Sequence, residues 1–321
     1  MTTIETNSLS SKLSPFDGVH AYTGAVAFVI EDGVAWIVLN RPERRNPLSR
    51  EVLEALEPAI DGIGREGTVR AVVIGSTGPV FSSGHDLNEL AGADMEACET
   101  LFGLCGRVML GLRRLAIPVI ARVQGLATAA GCQLVAACDL AIASTEASFA
   151  TPGVKIGLFC GTPMIPLVRA IAPRGALEML LLGKAIDARR AYELGLVNRV
   201  VAPDRLDAEV FDVIETIKSH DPAVLGGGKL AFYEQLELSE FEAYERMTGF
   251  MARGAVSAAA REGIDAFLHK RKPIWPGTGV GSGGGTVGSE MSGADNSGSD
   301  LGGSGGGSTS GAIKDRSDDA S

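Results

Sequence analysis

The sequence predicts an α/β protein with a helical C-terminal third, on three observations. Short β-branched runs alternate with helix-patterned stretches over the first half of the chain, which is the pattern of α/β folds. From Met164 to Pro273 the spacing of apolar residues is almost wholly helical. Of the 321 residues, 45% are hydrophobic, so the chain can bury a sizeable core.

Two antiparallel strands open the predicted fold. The β-branched runs Val26–Ile30 and Val34–Leu39 are separated by a segment that contains Asp32 and Gly33. An Asp-Gly pair between two such runs is typical of a tight hairpin.

A helix and a buried strand follow the hairpin. Val52, Leu56 and Ile60 recur at helical spacing behind Ser49, whose hydroxyl suits the N-cap position. The run Ala71–Ile74 is apolar without interruption, which favours a strand that is covered on both faces.

Further along the chain, two predicted strands flank a helix of small residues. The runs Pro118–Val123 and Asp139–Ser144 read as strands, and the helix between them begins near Ala130. We predict four segments: a flexible N-terminal segment at 1–23, an α/β core at 24–215, a helical region at 216–276 and a disordered tail at 277–321. The tail is rich in glycine and serine and lacks aromatic residues.

Composition and charge exclude several classes of function. The net charge is −10, which argues against nucleic acid and anionic membranes as partners. No apolar run is long enough for membrane insertion. The five cysteines are odd in number and form no CxxC pair, so we predict neither disulfides nor a metal site. The N-terminus lacks a signal sequence and is poor in arginine, and we expect a cytoplasmic protein.

Three motifs, in this order and spacing, resemble the enoyl-CoA hydratase/isomerase (crotonase) family. The first is FSSGHDL at 81–87, and the second is PVIARVQG at 118–125 running into ATAAGCQL at 127–134. The third is EMLLLG at 178–183 with GLVNRV at 195–200. The resemblance covers roughly residues 25 to 276. It implies a spiral of ββα turns, a C-terminal helical region that forms trimers, often paired into hexamers, and a coenzyme A thioester as ligand, with no separate cofactor.

The resemblance also implies an oxyanion hole. The backbone N–H groups of Ser83 and Ala130 would point at the thioester carbonyl oxygen. Reactions beside this carbonyl pass through an enolate, and preorganised N–H donors stabilise its charge. Because Ala130 lies near the start of its predicted helix, its N–H is one of the first-turn donors that lack an intrahelical acceptor.

The chain departs from the family at two catalytic positions. Family hydratases use two glutamates to position and deprotonate water. The matching residues here are Gln133 and Gly153, and neither accepts a proton. A positioned general base contributes roughly 10²- to 10⁴-fold to a rate, so we predict severely weakened hydration.

Other groups are candidates to replace the glutamates. His85 has an ordinary pKa near neutrality and could transfer a proton, or it could only pack beside the coenzyme. Cys160 could be a nucleophile or a small buried apolar residue. Gln133 could still hydrogen-bond a water molecule or the acyl group. Asp86 and Asp139 match family acids that stabilise turns.

The resemblance further indicates residues around coenzyme A. Ser83, His85, Asp86 and Leu87 of the first motif would lie beside it, and Arg44 and Arg45 could touch phosphate. Phe267 and Lys270 would lie near the adenine and phosphates of a neighbouring subunit's ligand.

Two functional hypotheses remain open at this stage. The first is an enzyme that acts on a CoA thioester through the oxyanion hole, for example in decarboxylation, isomerisation or thioester hydrolysis. The second is a non-catalytic acyl-CoA-binding protein, which the loss of both carboxylates favours.

Overall fold

A computed structural model describes residues 15–16 and 22–276. The predicted tail at 277–321 and most of the predicted N-terminal segment lie outside this part of the chain. The strands are β1 Val26–Glu31, β2 Val34–Leu39, β3 Ala71–Ser76, β4 Val80–Ser82, β5 Val119–Val123, β6 Leu126–Thr128, β7 Leu140–Ser144, β8 Ser148–Ala150, β9 Ile186–Asp187 and β10 Arg199–Val201. The helices are α1 Arg50–Arg65, α2 Leu87–Leu90, α3 Met95–Arg114, α4 Ala130–Ala137, α5 Met164–Ala170, α6 Pro173–Leu182, α7 Ala188–Leu194, α8 Leu206–Lys218, α9 Pro222–Gln235, α10 Glu240–Ala255 and α11 Ala258–Leu268.

The strands form two sheets that are built up turn by turn. One sheet has the order β1-β2-β3-β5-β7-β10, and the other has the order β4-β6-β8-β9. The pairs β3/β4, β5/β6 and β7/β8 each contribute their first strand to the larger sheet and their second to the smaller one, and a helical segment follows each pair. This repeat is the ββα spiral that the resemblance implies, and the α/β prediction is confirmed.

The opening hairpin and the first helix form as predicted. Strands β1 and β2 pair antiparallel, and both turn residues, Asp32 and Gly33, have positive φ angles of 45° and 73°. That geometry matches the right-handed twist of a hairpin. The hydroxyl of Ser49 accepts a hydrogen bond from the N–H of Val52 at 3.4 Å, so Ser49 is the N-cap of α1.

Two apolar layers lie on opposite faces of the larger sheet. The main core lies between the sheets and contacts α1, α3 and α4. The second layer joins Trp36 and Ile120 to Val210 and Ile214 of α8. The boundary predicted at residue 215 therefore falls inside a helix that packs on the core sheet. Two very short strands, β9 and β10, interrupt the C-terminal region that was predicted to be helical.

Phe16 connects the N-terminal segment to this second layer. Its ring is 7% exposed and meets Trp36 edge to face, with 5.9 Å between ring centroids. The guanidinium of Arg122 lies over the ring, 4.9 Å from its centroid. The prediction of a flexible segment is thus corrected at this residue, because an aromatic ring is buried there.

A buried polar cluster, formed by Asp139, Lys229 and Tyr233, attaches α9 to the core. The Lys229 ammonium lies 2.6 Å from Asp139 Oδ2 and donates to the carbonyls of Leu112 at 2.8 Å and Ile117 at 2.9 Å. The Tyr233 hydroxyl donates to Asp139 Oδ1 at 2.9 Å. Asp139 Oδ2 also accepts the N–H of Val119 at 2.7 Å, which confirms the structural role predicted for this acid.

The last two helices carry large apolar side chains on their surface. Examples are Phe241, 71% exposed, and Phe267, 83% exposed. None of the helices in the described part of the chain combines the length and apolarity needed to cross a bilayer.

Candidate functional site

A cavity of about 510 Å³ opens where three segments of the spiral meet. The segments are the first motif, the junction of β6 with α4, and the loop after β8. Most of the lining is apolar. The lining residues are Ser83, His85, Leu87, Leu90, Phe102, Thr128, Ala129, Ala130, Pro152, Gly153, Lys155, Ile156, Leu158, Phe159, Cys160, Gly161, Thr162 and Pro163.

Helix α4 begins at the wall of this cavity. Gly131 lets the helix approach β4, since an added Cβ would lie 2.5 Å from the carbonyl oxygen of Ser82. Ala129 precedes the helix with φ 51° and ψ −117°, a conformation that costs a non-glycine residue about 1–3 kcal/mol. Ala130 is the first helical residue, as predicted, and among the described residues its N–H has no acceptor.

Gly84 joins the first motif to the start of α4. Its φ is 84°, and an added Cβ would lie 2.9 Å from the carbonyl oxygen of Thr128 and 3.0 Å from the backbone nitrogen of Ala130. Only a glycine allows both the backbone conformation and the close approach. The backbone around Gly84 therefore lies directly against the Ala130 amide.

The prediction that the Ser83 N–H faces a ligand is wrong. This N–H donates to the carbonyl oxygen of Arg45 at 2.9 Å, because residues 45–48 run beside the first motif and Pro47 forms a bridge with Gly84. The N–H of Gly84 donates to the Ser82 hydroxyl at 3.2 Å. The next amide, that of His85, has no acceptor among the described residues.

The His85 side chain is held in one orientation beside the cavity. Its Nδ1 lies 3.2 Å from the carbonyl oxygen of Leu48. Since a carbonyl only accepts, Nδ1 carries the proton and Nε2 has the free lone pair. The ring meets Phe102 edge to face, with 5.3 Å between centroids. Nε2 is buried and has no hydrogen-bond partner in the part of the chain that the structure describes. Burial lowers the imidazole pKa below its ordinary 6.5, an effect that the Leu48 carbonyl partly opposes.

Neither glutamate position offers a proton acceptor to the cavity. Gln133 is buried, and its Oε1 lies 3.9 Å from the Cys105 sulfur. Gly153 lines the cavity, but an added Cβ would lie 2.0 Å from the carbonyl oxygen of Leu158 and 2.9 Å from the Cys160 sulfur. The loop from 153 to 160 thus fills the space that a side chain at 153 would need.

The cysteines near the cavity are poor nucleophiles. Burial raises the pKa of the Cys160 thiol above its ordinary value, and a hydrogen bond with the Gly153 backbone opposes this only in part. Burial, together with the neighbouring Cys160, raises the pKa of the Cys132 thiol to about 12. Both thiols are therefore protonated at neutral pH, which favours the interpretation of Cys160 as a small buried residue.

The predicted coenzyme contacts near the first motif have protein partners of their own. The guanidinium of Arg44 lies 2.7 Å from Asp86, and Asp86 also caps α2 by accepting the N–H of Asn88 at 3.1 Å. Burial raises the pKa of Asp86, but the bonds from Asn88 and the charge of Arg44 outweigh it and leave this pKa below its ordinary value. Leu87 is exposed and lines the cavity. Arg45 is an exposed residue at the end of a short turn.

Phe267 and Lys270 lie at the end of α11 and on the surface. They are not among the residues that line the cavity. Their neighbour Arg271 is bound to Glu262 at 2.6 Å and to Asp265 at 2.6 Å, whereas the nearby cations Lys270 and Lys272 are exposed.

Sequence reasoning missed the support around His85. Leu48 contributes through a backbone carbonyl, which no side-chain pattern reveals, and Phe102 resembles any other apolar residue of an amphipathic helix. The free His85 amide was also missed. The sequence does contain a signal for this amide, because Gly84 permits a sharp turn that releases the following N–H from the strand ladder.

The ββα spiral and the apolar cavity lined by His85 and Ala130 indicate the class of protein. The family model for enoyl-CoA hydratase/isomerase matches residues 29–278, and the chain belongs to this family.

Three similar proteins illustrate this membership. Enoyl-CoA hydratase domain-containing protein 3, mitochondrial, from rat is 44% identical over 76% of this chain and 82% of its own length. A crystal structure of the human protein of that name has a TM-score of 0.76 and 42% identity, covering 78% of this chain and all of that one. A crystal structure of an enoyl-CoA hydratase from Mycobacterium smegmatis has a TM-score of 0.77 and 44% identity, covering 79% and 99%.

These relatives contradict the expected location. The rat and human proteins are named mitochondrial, whereas the sequence was interpreted as that of a cytoplasmic protein. That interpretation rested on composition, which does not identify a compartment.

Proposed function

We propose that the chain binds an acyl-CoA thioester with its carbonyl oxygen between the N–H groups of His85 and Ala130. The observation that carries this proposal is that both amides lack an acceptor among residues 15–16 and 22–276 and lie on either side of the contact of Gly84 with Ala130. Coenzyme A enters as part of the substrate rather than as a separate cofactor. The apolar lining suits an acyl chain.

Two donors of this kind stabilise an enolate. Each is worth roughly 2.7–4 kcal/mol in an oxyanion hole. Because Gln133 and the enclosed Gly153 offer no carboxylate, the chemistry that fits the site is enolate formation without activated water, as in decarboxylation or isomerisation. The enclosure of Gly153 also favours a second candidate, a non-catalytic acyl-CoA-binding protein.

Self-association would complete the site. We propose that the exposed apolar side chains of α10 and α11 mediate trimer or hexamer formation. Phe267 and Lys270 would then reach the nucleotide of a ligand bound to a neighbouring subunit. Light scattering of the purified protein measures this directly.

The binding proposal is tested with two ligands that differ only at the carbonyl. Octanoyl-CoA has the thioester oxygen, and the thioether S-octyl-CoA lacks it. Loss of two hydrogen bonds of about 0.5–1.5 kcal/mol each should weaken binding by roughly 5- to 150-fold in calorimetry. Equal affinity for the two ligands, or no binding of either, would contradict the proposal.

Glycine variants test the same site from the protein side. Gly84→Ala should push α4 and the first motif apart and abolish the preference for the thioester. Gly92→Ala is the matched control, since Gly92 also has positive φ, 77°, but its Cβ would meet nothing within 4 Å. This control should keep the preference, because it shares the backbone strain but not the clash.

A further inference from the structure

We infer that Nε2 of His85 accepts the α-proton of the bound acyl-CoA thioester, so that the same residue supplies the base and one of the enolate-stabilising donors. The inference rests on the proposed binding of the thioester and goes beyond it by assigning a reaction type and a base.

The first support is the state of the imidazole. Because Nδ1 donates to the Leu48 carbonyl at 3.2 Å, the tautomer is fixed and the lone pair is on Nε2. A buried polar atom without a partner costs free energy, and Nε2 is one of few such side-chain atoms in the described part of the chain. A ligand that brings a proton to Nε2 would satisfy it.

The second support is the chemistry of the cavity lining. Among the residues that line the cavity, His85 is the only imidazole, and there is no carboxylate. The other titratable lining groups are Lys155, which is exposed, and Cys160, whose thiol burial keeps protonated. Burial of His85 lowers its pKa, which keeps the base free of protons at neutral pH.

The third support is position. His85 is one of the residues that line the cavity, and its ring also packs against Phe102, another lining residue, with 5.3 Å between ring centroids. In a thioester, the acidic α-carbon is two bonds from the carbonyl oxygen. An oxygen held by the His85 N–H therefore brings the α-carbon close to the ring of the same residue.

The step balances without another reactant. The Nε2 lone pair forms a bond to the α-proton, and the C–H electron pair becomes a carbon–carbon double bond. The carbonyl pair moves onto oxygen, where the N–H groups of His85 and Ala130 stabilise it. The imidazolium exchanges its proton with solvent and returns one to the α-carbon.

Deuterium exchange tests the step without knowledge of the final product. Butyryl-CoA and octanoyl-CoA are incubated with the wild-type protein in D₂O, and the α-hydrogens are followed by NMR. We expect exchange well above the buffer rate. His85→Asn, whose amide can still donate to Leu48 but offers no base, should slow exchange by roughly 10²- to 10⁴-fold while calorimetry shows that octanoyl-CoA still binds. His220→Asn, at an exposed histidine, is the matched control and should exchange like wild type.

The outcomes separate this inference from the binding proposal. Wild-type binding without exchange, or a His85→Asn variant that exchanges within a few fold of wild type, would overturn the inference and leave the binding proposal intact. Absence of binding would overturn both. If His85→Asn does not fold, His85→Gln is measured in its place against the same criteria.

Discussion

The polar cluster of Asp139, Lys229 and Tyr233 and the side chain of His85 are both largely buried, yet they differ in one respect. In the cluster, every Lys229 proton has an acceptor and both Asp139 oxygens accept. At His85, Nδ1 is bonded and Nε2 is not. A satisfied buried network stabilises a fold, whereas a buried polar atom without a partner costs free energy until a partner reaches it. The candidate site and the structural cluster therefore differ in whether their buried polar atoms all have hydrogen-bond partners, and not in burial or charge.

The largest expected effect is a loss of stability in a variant that breaks the cluster of Asp139, Lys229 and Tyr233. Lys229→Met keeps the length of the side chain but leaves Asp139 charged and without its cation. Removal of one partner of a buried ion pair costs about 3–5 kcal/mol, so the free energy of unfolding in urea should fall by that amount. Acyl-CoA binding by the folded fraction should not change.

Two variants control this result. Lys184→Met, at an exposed lysine, should change stability by less than about 0.5 kcal/mol. The double variant Lys229→Met/Asp139→Asn removes the unpaired charge and should be more stable than Lys229→Met alone. A single variant as stable as wild type would mean that the cluster does not support the fold.

The intermediate effect concerns the loop that encloses Gly153. Gly153→Ala forces a Cβ against the Leu158 carbonyl, and such overpacking costs about 1–3 kcal/mol. Gly62→Ala, where a Cβ meets nothing within 4 Å, should instead stabilise α1 by up to about 1 kcal/mol. For the same steric reason, Gln133→Glu/Gly153→Glu should not gain hydration of crotonyl-CoA in a spectrophotometric assay. Rapid hydration by this double variant would show that the loop opens readily.

The smallest effect is the pH dependence that His85 contributes to stability. Because its folded pKa lies below 6.5, the unfolded state takes up a proton first as the pH falls. Stability is therefore complete above pH 6.5 and decreases between 6.5 and the lower folded pKa. Each unit of pKa difference is worth about 1.4 kcal/mol. The difference in unfolding free energy between pH 7.5 and pH 5.5 should be smaller in His85→Asn than in wild type, and an unchanged difference would contradict the burial of the imidazole.

Much of the fold could be predicted from the sequence because its signals are local. The Asp32-Gly33 turn, the Ser49 cap and the start of α4 at Ala130 all depend on a few adjacent residues. The short strands β9 and β10 were missed because two or three residues carry no measurable periodicity. Phe16 was missed because its burial depends on Trp36 and Arg122, which the sequence does not connect to it.

The candidate site was predictable in type but not in detail. The second motif predicted the start of α4 at Ala130, and the first motif contains Gly84, which lies against the Ala130 amide. The sequence could not show that the Ser83 N–H is occupied, because its acceptor, the Arg45 carbonyl, lies in a segment that is distant in sequence. The enclosure of Gly153 likewise depends on how the loop to Cys160 folds back, which residue types alone do not determine.

The enclosure of Gly153 has an evolutionary consequence. A carboxylate cannot enter this position by one substitution alone, because the backbone of Leu158 occupies the volume that its first side-chain atom needs. The loop would have to be rebuilt before a glutamate became useful, and neither change is favoured without the other. The closed loop therefore couples position 153 to residues 154–160, so that a larger residue at 153 requires a concerted change of the loop.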